Sequence, residues 1–325
     1  MTHIGGFFEL EPLVQRGEQQ VCSKMHADAL ALSTGRAALR VMLDRLQATC
    51  VYLPHYTCDA AFAPMREDNI EVRFYAIDRS FLPTSDIQLS RGEYLLYTNF
   101  FGLCDTAVTR LTRMYGDRLL VDDTHGFFCG RRTGAWSFTS ARKYFGVPDG
   151  AFLYAPIGKH VFTDEIPGPF PHFSTAHLEL RRDGQQERAF AAFQAYEASL
   201  DCRVFSMSDY TAARFAHIDF EDAARKRRQN FLQLHDSLGA TNQLPWDLED
   251  EVPFCYPYLP PTPIDRKRYY EACIYPPTLW PDVCQRSAPE WEQELTSHML
   301  ALPIDHRYGA KEMQRIVELT LSPRA

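Results

Sequence analysis

The sequence predicts an α/β protein, and three observations predict it. Between about residue 30 and residue 155, short apolar runs alternate with helical patterns, as a sheet covered by helices reads. Several runs are apolar throughout, the mark of strands buried on both faces. Most of them end in polar residues or glycine, so the turns fall where a sheet needs them.

In chain order, the runs Val51-Tyr52-Leu53, Val72-Arg73-Phe74-Tyr75, Tyr94-Leu95-Leu96-Tyr97, Leu119-Leu120-Val121, Trp136-Ser137-Phe138 and Phe152-Leu153-Tyr154 are expected strands. Helical spacing is expected from Arg36 to Leu46, Asp59 to Arg66 and Thr106 to Tyr115, with Asp59 and Asp105 as N-caps. Pro156 to Pro171 reads as a loop, and His177 to Ser199 and Asp209 to Leu238 as long amphipathic helices. After Gly239 a succession of prolines breaks up short strand-like pieces before a last helix, Lys311 to Leu321. This places a large domain over residues 1–238 and a small C-terminal α+β domain over 239–325.

With 325 residues the chain is too large for a disulfide-stapled miniprotein and has ample length for a core. Its 45% apolar and 23% charged residues exclude disorder and fibrous repeats. The net charge of −8 gives no whole-surface footprint for nucleic acid. Within the basic run Arg225-Lys226-Arg227-Arg228, the pairs Glu221–Arg225 and Asp222–Lys226 at helical spacing account for the charge. No apolar window approaches the roughly 18 residues of a membrane span, and no signal peptide is legible, so a cytoplasmic protein is expected. Nine scattered cysteines without a CxxC pair read as mostly reduced core thiols.

Three motifs could carry chemistry. Ser33-Thr34-Gly35-Arg36-Ala37-Ala38-Leu39 is a small polar turn opening into a helix, where backbone N–H groups and the helix dipole suit a phosphate; any N-capped helix looks similar. Leu119-Leu120-Val121-Asp122-Asp123-Thr124-His125 delivers two acids and an imidazole to a strand's C-terminal end, the edge at which α/β sheets build their sites. No further ligand stands at metal spacing from Asp122 and His125, so no metal is assigned. From Ser137 to Gly150 a strand leads into Thr139-Ser140-Ala141-Arg142-Lys143 and a Gly/Pro loop, which by itself could present only a surface lysine. Ser140 and Lys143 match S-x-x-K, but the S-D-N and K-T-G partners of that serine-nucleophile site do not occur.

Taken together, in this order, the three motifs from about Ala31 to Tyr154 resemble the DegT-type aminotransferases, fold-type-I enzymes of pyridoxal phosphate (PLP) best known for aminating nucleotide-linked keto sugars. Weaker similarity runs through Met207-Ser208-Asp209 and Leu302-Pro303-Ile304-Asp305-His306-Arg307. The resemblance implies a mainly parallel seven-stranded sheet between helices, and Lys143 as the Schiff-base lysine and proton carrier. It implies Asp122 on the pyridinium nitrogen and His125 on the phenolic oxygen. Thr34, Gly35, Arg36 and Ser140 become phosphate candidates, with charge added by Arg36 or Arg142. Cys58 falls where the family commonly has an aromatic over the ring, and Tyr56 is the alternative stacking residue.

Asn99 ends a strand as a candidate contact to cofactor or substrate, or as a simple turn residue. His306 and Arg307 are candidates for an anionic substrate group, or a solvated turn. The resemblance further implies a homodimer, an amino donor like glutamate, a keto-sugar acceptor and a place in polysaccharide biosynthesis. Two departures stand out. Val204-Phe205-Ser206 lacks the asparagine and arginine that typical members carry before the Met-Ser-acid helix. The stretch from Ser137 to Lys143 is one residue longer than usual, which opens a register with Arg142 as the lysine's counterpart. A PLP-dependent dehydratase or lyase, and a non-catalytic PLP-fold binding protein, are the alternative functions.

Overall fold

The computed structural model describes residues 2–13, 25–159 and 166–322. Its elements, in chain order, are β1 (Ile4–Gly5), β2 (Leu30–Leu32), α1 (Gly35–Arg45), β3 (Cys50–Pro54), α2 (Ala63–Glu67), β4 (Glu71–Tyr75), β5 (Glu93–Thr98), α3 (Asp105–Tyr115), β6 (Leu119–Asp122), β7 (Trp136–Ser140) and β8 (Ala151–Tyr154). Helices α4 (Ala176–Arg182), α5 (Gln186–Ser199), α6 (Asp209–Phe215) and α7 (Phe220–Leu238) follow. The C-terminal part holds β9 (Tyr256–Tyr258), α8 (Lys267–Glu271), β10 (Ile274–Tyr275), α9 (Glu290–His298), β11 (Leu300–Leu302) and α10 (Ala310–Leu321).

Seven strands form one sheet in the order β2-β8-β7-β6-β5-β3-β4. Only β8 runs against the rest, antiparallel to both β2 and β7. The apolar runs of the central strands have their cause here, because both faces are covered. Side chains alternate between the faces with period two. Leu95, Tyr97, Leu119 and Val121 join the core shared with α3 and the C-terminal part, whereas Leu96, Leu120, Phe138 and Leu153 join the core under α1.

All six expected strands are present, and the structure adds β2, whose three residues are too few to show a period. Asp59 and Asp105 do not cap: each is the first residue of its helical segment, where its charge meets the positive end of the helix dipole, and the cap positions are Cys58 and Cys104. The two long helices are each divided. Gly184, at φ +76°, lies between α4 and α5, and Asp219 caps α7 by accepting the Asp222 N–H at 3.0 Å.

The basic run is not a surface stripe. Asp222 takes both Arg225 and Lys226, Arg228 donates to the carbonyls of Glu249 and Glu251, and Arg227 turns inward. In place of the expected Glu221–Arg225 pair, Arg225 meets Asp222 at i,i+3, the other spacing that brings two side chains to one helix face. Eight described cysteines are free thiols, and Cys22 lies outside the described residues, as does part of the expected 156–171 loop. Among the described residues no helix is long and apolar enough to cross a membrane.

Chain segments distant in sequence converge on the C-terminal part. β1 pairs in parallel with β10, and the buried Asn230 of α7 donates to the carbonyls of Ile304, Asp305 and Tyr308. The loop after Lys143 is fixed from two sides. Gly146 lies so close to the Glu9 carbonyl that a Cβ would collide with backbone. Asp149 accepts the Ser208 N–H at 2.7 Å and its hydroxyl at 2.6 Å, tying the loop to the start of α6.

Candidate active site

The C-terminal ends of β6 and β7 and the N-terminus of α1 meet at one edge of the sheet, where open α/β folds place their ligands. Asp122, the last residue of β6, is buried, and its Oδ1 accepts the Thr124 N–H at 2.8 Å. Burial pushes its carboxyl above the usual range, and the positive charge of Lys143 opposes that rise. Lys143 Nζ donates to Thr124 Oγ1 at 3.1 Å. Thr124 in turn stands against α1: a Cβ at Gly35 would lie 3.6 Å from its Cγ2. One threonine thus links the lysine, the buried acid and the helix start.

Arg142 points elsewhere. It pairs with Glu197 and lies 5.4 Å from the Tyr196 ring centroid. Of the two registers open in the sequence, the one with Lys143 beside Asp122 and Thr124 is therefore the one the backbone delivers.

His125 is 1% exposed, and its ring stacks on Phe254 at 4.2 Å and on Trp280 at 5.6 Å. Burial, assisted by the charge of Lys143, holds it well below its ordinary pKa, so the ring is neutral at pH 7. Its Nδ1 accepts the Phe101 N–H at 3.4 Å, which leaves Nε2 as the donor. The neighbouring backbone is closely packed: the His125 carbonyl accepts the Tyr144 hydroxyl at 2.5 Å. Gly102, at φ +71°, leaves no space for a Cβ against that same carbonyl.

A cavity of about 810 Å³ opens on this edge, and Lys143, His125, Ser140 and Cys58 line it. At the start of α1 the Thr34 hydroxyl is engaged as a cap, accepting the Ala37 N–H at 3.1 Å. The N–H groups of Gly35 and Arg36 take no acceptor among the described residues. Backbone, rather than the Thr34 side chain, is what this helix start offers an anion.

Other sequence candidates are engaged differently. Tyr56 does not line the cavity; it is fully buried behind Trp280, edge-on at 4.8 Å. Trp280 lines the cavity itself and had no signal in the proline-rich segment that carries it. Asn99 is 0% exposed and serves a polar network: its Nδ2 donates to Asp123 at 2.8 Å and Asp105 at 2.9 Å, while its Oδ1 accepts the Cys104 N–H. Arg132 closes the network by bridging Asp123 and Asp105. The structure thus makes Asn99 a brace for the β5 and β6 strand ends and not a substrate contact. Asn99→Ala is expected to cost about 1–3 kcal/mol of stability, from loss of charge-assisted hydrogen bonds and an unpaired Cys104 N–H. A thermal melt showing that drop with the ligand-binding properties of the cavity unchanged would check the assignment.

His306 and Arg307 do not face the cavity either. His306 Nε2 lies 2.8 Å from Glu11, and Arg307 pairs with Asp305 at 2.6 Å and Glu9 at 2.8 Å. Both side chains hold the N-terminal segment in place. Burial raises the Asp305 carboxyl, but Arg307 outweighs it and holds the group below its usual value. The pair therefore contributes stability that is present above the ordinary aspartate range and lost as pH falls through the depressed folded pKa. Arg307→Met is expected to destabilise by about 3–5 kcal/mol, because Asp305 is left buried without its partner. Denaturant titrations at pH 7 and pH 3 check this: the variant's deficit should be large at pH 7 and shrink in acid.

No known family model and no curated protein matches the sequence. Among solved structures, the sugar aminotransferase CalS13 from Micromonospora echinospora superposes with a TM-score of 0.60 at 15% identity, covering 90% of this chain and 86% of that one. A DegT DnrJ EryC1 StrS aminotransferase from Brucella abortus gives 0.58 at 14% identity over 90% and 84%. Spr1654 from Streptococcus pneumoniae, in its PLP-form, gives 0.61 at 11% identity over 97% and 91%. The chain has the fold-type-I architecture of these aminotransferases, with a mostly parallel seven-stranded sheet.

Proposed function

We propose that the protein is a PLP-dependent aminotransferase that moves an amino group from a glutamate-like donor to a keto sugar, in nucleotide-linked form. The observation that carries the reading is Lys143 held by Thr124 beside the buried Asp122, at the sheet edge where α1 presents two N–H groups without acceptors among the described residues.

The donor set suits PLP. A buried carboxylate that depends on a neighbouring cation is costly alone and favoured by a protonated ring nitrogen. Asp122 would face that nitrogen, and the Nε2–H of the neutral His125 would serve the phenolic oxygen. The Gly35 and Arg36 N–H groups and the Ser140 hydroxyl would hold the phosphate. Lys143 Nζ would carry the cofactor and then move the substrate's α-proton. When bound, PLP supplies an electron sink conjugated to the substrate amine.

Sugar as the acceptor class is supported by CalS13, a sugar aminotransferase, and PLP by the PLP-form of Spr1654. The glutamate-like donor, the nucleotide link, a homodimer, a cytoplasmic setting and a place in polysaccharide biosynthesis rest on the sequence resemblance. Retention of Lys143, Asp122 and His125 together favours transamination over the dehydratase and the non-catalytic readings. The test is a half-reaction: protein incubated with PLP and mixed with L-glutamate should release 2-oxoglutarate in amounts equal to the active sites. No 2-oxoglutarate from L-glutamate, and no keto acid from other amino acids, would contradict the proposal.

A further inference from the structure

Three arginines line the cavity: Arg142, Arg181 and Arg227. Arg142 pairs with Glu197, and Arg181 reaches Glu9 at 3.5 Å and the Gly5 carbonyl at 2.7 Å. Arg227, on α7, is different. It is 1% exposed, and it has no carboxylate within ion-pair distance among the described residues. Asp305 and Glu11, the acids closest to it electrostatically, are taken by Arg307 and by His306.

What Arg227 does touch is weak. Its guanidinium lies 4.3 Å from the Tyr144 ring centroid and donates to the carbonyls of Pro253 at 3.4 Å, Phe254 at 3.2 Å and Tyr144 at 3.4 Å. Its buried Nε has no hydrogen-bond partner among the described residues. Three long contacts to neutral carbonyls do not compensate the burial of a full charge, which is costly unless paired. A cation so placed, at the wall of the cavity, is complementary to an anion there, and its planar guanidinium suits the two oxygens of a carboxylate. Its position is also the relevant one. Tyr144 follows Lys143 in the chain, and Phe254 is the ring stacked on His125.

We propose that Arg227 is the carboxylate subsite of the cavity and holds the carboxylate of the amino-acid donor. The proposal rests on the aminotransferase reading for the word donor; the carboxylate site itself stands on the geometry. It also supplies, from within one chain, a cation that Val204-Phe205-Ser206 does not offer before α6.

The test uses PLP-incubated full-length protein and its Arg227→Gln variant, with glutarate and its neutral isostere glutaramide as calorimetric probes. Wild type should bind glutarate and not glutaramide. The variant should weaken glutarate by about 10–150-fold, the range of a lost charged hydrogen bond, with KM for L-glutamate raised more than kcat is lowered. Glutarate binding equal in both proteins, or absent from the wild type, overturns the proposal. Protein that takes up no PLP yet binds glutarate through Arg227 supports the subsite and contradicts the aminotransferase reading. Protein that transaminates L-glutamate with KM unchanged in the variant does the reverse. If the variant does not fold, wild-type crystals soaked in glutarate decide: a carboxylate on the Arg227 guanidinium supports the proposal, and its absence there overturns it.

Discussion

Lys143→Ala is expected to lower turnover by about 10²–10⁴-fold, the usual contribution of a positioned acid–base group. The size of the effect follows from how few alternatives the site has. Lys143 is the only lysine lining the cavity among the described residues. The adjacent Arg142 is committed to Glu197 and Tyr196. Thr124 accepts from the lysine amine at 3.1 Å, but a hydroxyl is far too weak an acid and base to take over the proton transfer near neutral pH. An Arg142→Ala control should lose much less, since it leaves Lys143, Thr124 and Asp122 in place. Single-turnover assays with L-glutamate separate the two variants.

Asp122→Asn is expected to cost about 10²–10³-fold in kcat, as loss of one preorganised charge does. The substitution is nearly isosteric and can still accept the Thr124 N–H, so shape is kept and charge removed. The pH profile gives a second readout. Because burial raises the Asp122 carboxyl in the cofactor-free protein, PLP affinity, which needs the carboxylate, should fall toward acid as the group takes up a proton, starting above the ordinary aspartate range. In the variant that acid limb should disappear. A limb that survives Asp122→Asn would assign it to another group.

The site was legible where local pattern and tertiary demand coincide. Leu119-Leu120-Val121 is apolar because both sheet faces are covered, and its end must be polar because it emerges at the open edge. Asp122, His125 and Lys143 could therefore be singled out as candidates from one dimension. Thr124 lay inside the same motif without a role of its own, because its hydroxyl meets Lys143 through the turn after β6, which spacing does not reveal.

Trp280 and Phe254 come to His125 across more than a hundred residues, from segments punctuated by proline. His306 and Arg307 looked free because their partners, Glu11 and Glu9, lie almost 300 residues earlier and reach them only when the N-terminal segment docks. Asn99 carries the polar side chain a substrate contact needs, yet Asp123 and Asp105 take both its N–H donors and its oxygen accepts from Cys104. Arg227 was absorbed into a basic run whose other members do face outward or reach the adjacent loop.

The central claim is that this cavity binds PLP covalently through Lys143. Purified protein should be incubated with PLP, reduced with borohydride and digested, and its peptides mapped by mass spectrometry alongside the visible spectrum. The account predicts an absorption band that borohydride removes and a phosphopyridoxyl group fixed on Lys143. No band, or label spread over surface lysines with Lys143 unmodified, would contradict it.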